Sequence, residues 1–416
     1  MEGKEKMNKI YLIDVTNRDG VQTARISLAK LEKTMINIFL NEMGIFQSEF
    51  GFPVTKHEIN YLNANLELQE LGLLKPIRLS GWLRAIDKDV RVAFKNIPKL
   101  KHINLSISTS DQMIKHKFQG KYNYKTVIQE MKNAVKIAKE LGSETIGVNA
   151  EDASRTKMEY LIEFSLAAKE AGATRIRYCD TLGYDSPNII YERIYQLAKE
   201  IKIPIELHCH NDLGMAVANS IMGAKGALDA EVDAYINTTI NGIGERCGNA
   251  DLVSIILALQ KSSGFANKYV LDERIDLTKA WKIAKYASYA FGIPISINQP
   301  GVGSNAFAHE SGIHADGALK DWHNYELYHF SELGRGEPEI IETGRQIVVG
   351  EYSGIKGFRN VTGKLEIKFK SHKKATEILD LTRYANVHTQ KPLTKDELIF
   401  IAKYPQQAKK IMTVSP

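Results

Sequence analysis

The chain has 416 residues, of which 44% are apolar and 25% charged, with a formal charge of +6. That length allows one large barrel or two to three smaller domains. With no run of like charges and no basic–aromatic interleaving, it argues against nucleic acid as a partner, and no stretch reaches the length of a membrane span. The N-terminal stretch Met1–Lys9 is charged and lacks the apolar centre of an export signal. Cys179, Cys209 and Cys247 show no paired spacing, which suits a reducing, cytoplasmic setting.

In chain order, short β-rich runs alternate with longer helical periods as far as residue 265. The runs predict strands at Ile10–Val15, Ile45–Phe50, Ile77–Leu83, His102–Ser108, Thr145–Val148, Arg175–Cys179, Ile203–His208 and Val232–Ile236. Helical periods fall at Leu28–Met43, Val127–Leu141, Met158–Ala171, Ile189–Ile201 and Met215–Leu228. Eight βα alternations predict an α/β fold, a (β/α)8 TIM barrel. A doubly wound open sheet is the alternative, and it lacks the glycine-rich turn expected after its first strand. Beyond residue 265 the pattern changes. A helix is predicted over Lys279–Phe291, then a long polar, glycine-rich loop over Ile297–Asp321, of a length that suits binding. Helices over Lys374–Tyr384 and Lys395–Tyr404 make the end mainly helical. The expected division is a catalytic barrel over 1–265 and a smaller lid and dimerisation region over 266–416.

Three polar clusters each follow an apolar run: Asn17-Arg18-Asp19-Gly20, His208-Cys209-His210-Asn211-Asp212, and Asn241 to Asn249. Strand alternation puts His208 and His210 on one face and Cys209 on the other. Two imidazoles so placed are half of a metal site, or two ordinary polar residues at a strand end. Recurrence of such clusters after three strands favours chemistry at one barrel rim.

Four ordered stretches carry a resemblance: Thr16-Asn17-Arg18-Asp19-Gly20-Val21-Gln22, the His208–Asp212 run, the Gly242–Asn249 run and Ser311-Gly312-Ile313-His314. Together with Glu49-Phe50-Gly51-Phe52-Pro53 and the segment Gly147–Arg155, they are similar to the isopropylmalate/homocitrate synthase family, within the DRE-TIM metallolyases. The resemblance implies condensation of acetyl-CoA with a 2-oxo acid bound to a divalent metal, Mn²⁺ or Co²⁺ first and Mg²⁺ or Zn²⁺ next. It implies Asp19, His208 and His210 as metal ligands, with Asn249 near or joining them. Arg18 is implied at the ketone oxygen, where charge develops. His314 and Tyr325 are implied in removing the acetyl methyl proton, Glu151 in positioning or relaying it, and Glu49, Gln22 and Thr181 in holding substrate. A homodimer with shared active sites follows from the same resemblance, the region after the barrel of one subunit covering the other's mouth.

Some residues depart from the family pattern. Asn17 and Val21 replace Leu and Glu, and Arg25 stands where Gly is common. Gly147 occupies the place of the arginine that grips the far carboxylate in homocitrate synthases, which turns the expectation from 2-oxoglutarate towards oxaloacetate. Arg25 and Arg84, near strand ends, are the candidates to hold that carboxylate instead. The chain has no room for the long regulatory domain of leucine-pathway enzymes. The run Asp14–Thr23 looks most like Re-type citrate synthases. Behind this reading stand homocitrate synthase, then isopropylmalate or citramalate synthase. A lyase of the hydroxymethylglutaryl-CoA type lacks the Ser-Gly-Ile-His segment, and a non-enzymatic barrel has no need of Arg18, Asp19, His208 and His210 together.

Overall fold

Alternating strands and helices close into a barrel. The structure, a computed structural model, describes residues 8–337 and 344–414; the charged stretch before residue 8 lies outside them. The strands are β1 Lys9–Asp14, β2 Gln47–Gly51, β3 Arg78–Arg84, β4 His102–Ser108, β5 Thr145–Glu151, β6 Arg175–Asp180, β7 Ile205–Cys209 and β8 Ala234–Thr238. All pair in parallel and in sequence order, and β1 pairs with both β2 and β8, which closes the ring. Six of the eight end one to three residues later than the apolar runs suggest, because polar rim residues extend the strands; β4 has the predicted bounds and β1 lies one residue earlier. A ninth, two-residue strand, β9 (Val270–Leu271), adds to the N-terminal end of β1.

The outward residues of the strands are apolar. Ile10, Leu12, Leu105, Val148, Ile176, Leu207 and Ile236 join the main core beneath the helices. Glycines allow the closest approach there. In the helix Ala216–Asp229, a Cβ on Gly223 would stand 2.6 Å from Leu207 Cδ1, and one on Gly226 2.7 Å from the Tyr191 carbonyl oxygen. Inside the barrel, a small apolar cluster of Tyr11, Ile13, Val15, Phe46 and Tyr235 accompanies an ionic layer, unlike the branched layers common in such barrels. Bonds from β6 across to β2 run through it, from Arg175 to Gln47 and from Arg177 to Glu49.

Beyond the barrel, the helix Ala280–Phe291 forms as expected, and the end of the chain is helical at Ile355–Lys364, His372–Thr389, Lys395–Lys403 and Pro405–Met412. These last elements return to the first barrel helices. Lys391 Nζ donates to Glu32 Oε1 at 2.9 Å, Tyr286 to Glu397 at 2.8 Å, and Asn60 Nδ2 to the Thr413 carbonyl at 2.7 Å. The expected loop over Ile297–Asp321 contains a helix, Gly312–Lys320, none of whose residues is buried. Its glycines and short polar residues hid its periodicity.

Candidate active site and metal centre

β7 presents His208 and His210 as alternation requires: the ring centres are 4.9 Å apart and the planes meet at 86°. β1 ends at Asp14, and the loop after it places Arg18 and Asp19 ahead of the 3-10 turn Gly20–Gln22. Asp19 Oδ2 lies 3.6 Å from His208 Nε2 and 3.8 Å from His210 Nε2. The three potential ligand atoms lie within 4.8 Å of one another, and all three residues are buried. Asn249 joins them through a backbone bridge to His210.

Electrostatics suit a cation here. Burial works to raise the Asp19 carboxyl, but its polar neighbours, the Arg18 guanidinium foremost, outweigh it and hold it at about 2. Burial pushes His208 well below the ordinary histidine range and lowers His210 too, so both are neutral, the form that binds metals. Among the described residues, Asp19 Oδ2, His210 Nδ1 and both amide atoms of Asn249 are buried without a hydrogen-bond partner. Buried polar atoms are rarely left so. A divalent ion fits this donor set of one carboxylate and two imidazoles.

Beneath the metal position runs a ladder of charges. Arg18 Nε donates to Glu49 Oε2 at 2.6 Å, and its Nη1 to Asp19 Oδ1 at 3.0 Å. Glu49 also accepts from Arg177 Nη2 at 2.8 Å and Asn104 Nδ2 at 2.9 Å. Arg177 Nε in turn donates to Glu206 at 2.8 Å, and Arg175 Nε to the other oxygen of Glu206 at 2.6 Å. Burial opposes ionisation of Glu49, yet Arg177 and Arg18 hold it well below the usual carboxylate range. A charge in this interior is tolerable only when paired, as each of these is.

A cleft of about 230 Å³ opens over these groups. It is lined by Arg18, Asp19, Gln22, Glu151, Thr181, His208 and His210, all expected from the sequence. Glu245 and Arg246, from the expected Asn241–Asn249 cluster but given no role, also line it, and so do Trp82, Ser106, Asn149, Arg177 and Cys179, which were not expected as site residues. Alternate charges in the buried run Arg175-Ile176-Arg177 are the signal that could have revealed one of them. Glu151 is held by Ser108 Oγ at 2.5 Å and by Lys117 Nζ at 2.6 Å. Thr181 Oγ1 accepts from the Asp152 amide at 2.9 Å. Glu49 lies below the cleft, both oxygens engaged, so it orients Arg18. Arg84 is turned to Asp89 in a two-point ion pair, and Arg25 is exposed with a φ of 69°; neither lines the cleft. His314 and Tyr325 stack with ring centres 4.3 Å apart, both exposed, and do not line the cleft of their own chain. A larger groove of about 660 Å³ lies between His372–Thr389 and Pro405–Met412, and none of the metal-type cluster lines it.

Comparison with known proteins agrees with this geometry. Residues 9–286 match the HMGL-like family, and residues 302–388 match the homocitrate synthase post-HMGL domain-like family. The chain belongs to the HMGL-like family, whose enzymes use a divalent metal. It is 62% identical over 411 residues to citrate (Re)-synthase of Dehalococcoides mccartyi, covering 99% of each chain. It is 38% identical to 2-isopropylmalate synthase 2 of Caldanaerobacter subterraneus, over 95% of this chain and 96% of that one. Against homocitrate synthase 1 of Nostoc it is 32% identical, over 95% and 98%. Hydroxymethylglutaryl-CoA lyase from Pseudomonas aeruginosa shares the fold, with a TM-score of 0.56 at 15% identity, over 69% of this chain and 95% of that one. No helix of the described residues is long and apolar enough to cross a membrane.

Proposed function

We propose that the chain condenses acetyl-CoA with oxaloacetate and releases citrate and CoA, using a divalent metal held by Asp19, His208 and His210. The observation that carries this is the 62% identity, from end to end, to a citrate (Re)-synthase, in a chain whose cleft assembles the ligands and Arg18. A bound divalent ion, Mn²⁺ or Co²⁺ foremost, supplies a Lewis acid and a point of chelation for the carboxylate and ketone oxygens of the 2-oxo acid.

The chain's own residues do the rest. Glu49 and Asp19 fix Arg18, so its remaining N–H groups meet the ketone oxygen without reorganising as charge develops there. Gln22 and Thr181 line the cleft and hold the substrate. His314 takes the methyl proton of acetyl-CoA with Tyr325 stacked against it, and Glu151 positions or relays it. Hydrolysis of the acyl-CoA adduct then makes the sequence effectively irreversible.

In one chain the proton acceptor is missing from its cleft, which supports a two-fold dimer with shared sites. The segment bearing His314 is open and presents apolar side chains to solvent: Ile313 is 77% exposed and Leu319 88%. It suits the mouth of a second copy, where it excludes water. On this reading residues 1–265 are the catalytic barrel and 266–416 the lid and dimerisation region. The three free cysteines suit a reducing cytoplasm.

Thiol release from acetyl-CoA, measured against oxaloacetate, 2-oxoglutarate, 2-oxoisovalerate and pyruvate, tests the proposal. Preference for oxaloacetate is expected; preference for any of the others rejects it.

A further inference from the structure

We infer that Arg177 selects a dicarboxylate by receiving the substrate's far carboxylate on the floor of the cleft; this rests on the cleft being a site for a 2-oxo acid. A second carboxylate drawn into a dry pocket needs a fixed cation or strong donors. Three cations line the cleft: Arg18, Arg177 and Arg246. Arg18 is beside the metal ligands. Arg246 is at the rim, tied to Asp212 by Nε and Nη2 at 2.8 and 3.0 Å. Arg177 remains, inside the barrel, with its side chain 1% exposed.

Its position follows from strand register. Arg177 on β6 pairs with Asn149 on β5 and Glu206 on β7, and Asn149 pairs with Ser106 on β4. Ser106, Asn149 and Arg177 are thus a row of donors, and all three line the cleft. Two residues further along β6, Cys179 pairs with the ligand His208. Two residues of strand span about 6.6 Å, so the row lies one short substrate chain below the metal.

The row is not consumed by the fold. Asn149 Oδ1 is buried without a hydrogen-bond partner among the described residues, so this amide is not tied into the ladder. Arg177 uses Nε and Nη2 at 2.8 Å, while Nη1 has only a 3.4 Å contact to Glu49. In the ladder, three guanidiniums (Arg18, Arg175, Arg177) face two carboxylates (Glu49, Glu206). The third carboxylate that meets them, Asp19, pairs with Arg18 at 3.0 Å at the metal position above, so beneath that position cations outnumber carboxylates by one. The neighbouring wall offers no substitute. A Cβ at Gly147 would stand 1.8 Å from Asn104 Oδ1, so a side chain there displaces the amide that holds Glu49.

The test compares kcat/KM for oxaloacetate and for 2-oxobutyrate, which has a methyl group where oxaloacetate has its second carboxylate. An Arg177→Gln, Glu206→Gln double variant removes one charge of each sign and keeps the ladder's balance. Its loss with oxaloacetate should exceed its loss with 2-oxobutyrate on the order of 10- to 100-fold. Equal losses, with circular dichroism and metal content unchanged, overturn the assignment. Should the double variant fail to fold, Asn149→Asp decides: a carboxylate beside Arg177 competes with the substrate's own and should produce the same selective loss. An unaltered preference in that variant overturns the assignment as well. If the wild-type enzyme turns over other 2-oxo acids but not oxaloacetate, the citrate reading falls and this inference with it; a wild type active on oxaloacetate with unselective variants removes the inference alone.

Discussion

Asp14 and Asp19 lie five residues apart, both buried, and burial pushes both carboxyls up. Only Asp19 has a guanidinium beside it, that of Arg18, and it is held at about 2, whereas Asp14 rises to about 7. Asp14 accepts from the Thr16 amide at 2.9 Å, and its Oδ2 has no partner among the described residues. Its pKa is raised on folding, so between its ordinary 3.8 and about 7 the folded chain keeps a proton the unfolded chain has lost. Stability from this group therefore falls as pH rises through that window, at most about 1.4 kcal/mol per pH unit. Asp14→Asn keeps the acceptor and never ionises. Its urea midpoint should pull ahead of wild type as pH rises through the window, and parallel pH profiles of the two proteins contradict the assignment. At the metal, His208→Ala or His210→Ala should lower bound metal per chain while leaving the circular dichroism of the barrel intact; full occupancy in either variant removes that histidine from the ligand set. Glu49→Gln should lower kcat on the order of 100-fold through Arg18, and an unchanged kcat means Arg18 needs no such support. At this scale Arg18, Asp19, His208 and His210 were legible, because each stands in a polar cluster at or just after a strand end. The ladder was not, because a charge within a strand does not announce the partner it meets across the barrel.

The elements divide in the same way. All eight strands were legible from apolar runs, and Met158–Ala171 has the predicted bounds because Gly172, at a φ of 114°, marks its end. The helix Ile59–Glu70 escaped, since its buried face includes Asn65, which bonds to Thr34 and Asn37 instead of packing as a hydrophobe. The small helix Leu252–Lys261 is so apolar that no stripe stands out. Close helix packing around β7 also left a mark in the sequence, the pair Gly223 and Gly226. Gly226→Ala puts a methyl group 2.7 Å from the Tyr191 carbonyl and 3.1 Å from the Tyr195 amide, which side-chain rotation cannot relieve. It should destabilise the protein by about 1–3 kcal/mol, read as a fall in melting temperature. An unchanged melting temperature shows that the helices Pro187–Ile201 and Ala216–Asp229 can separate without cost.

For the whole molecule, the cleft in one chain holds the Asp19, His208 and His210 cluster and Arg18, while His314 and Tyr325 stand outside it. Topology within a chain was readable from the sequence, because each strand and helix carries its own periodicity. Mixing inactive His314→Ala and Asp19→Ala proteins under subunit exchange should restore activity towards half of wild type per dimer, since one of the two shared sites is then intact. No recovery despite proven exchange assigns His314 to its own barrel. The central claim, metal-dependent condensation to citrate, is tested most directly by supplying metal-free and metal-loaded protein with oxaloacetate and acetyl-CoA labelled in the methyl carbon, and following the label by NMR. Labelled citrate should appear in step with free CoA in the loaded protein, and not in the stripped one. Labelled citrate at equal rates with and without metal, or CoA released with no labelled citrate, contradicts it.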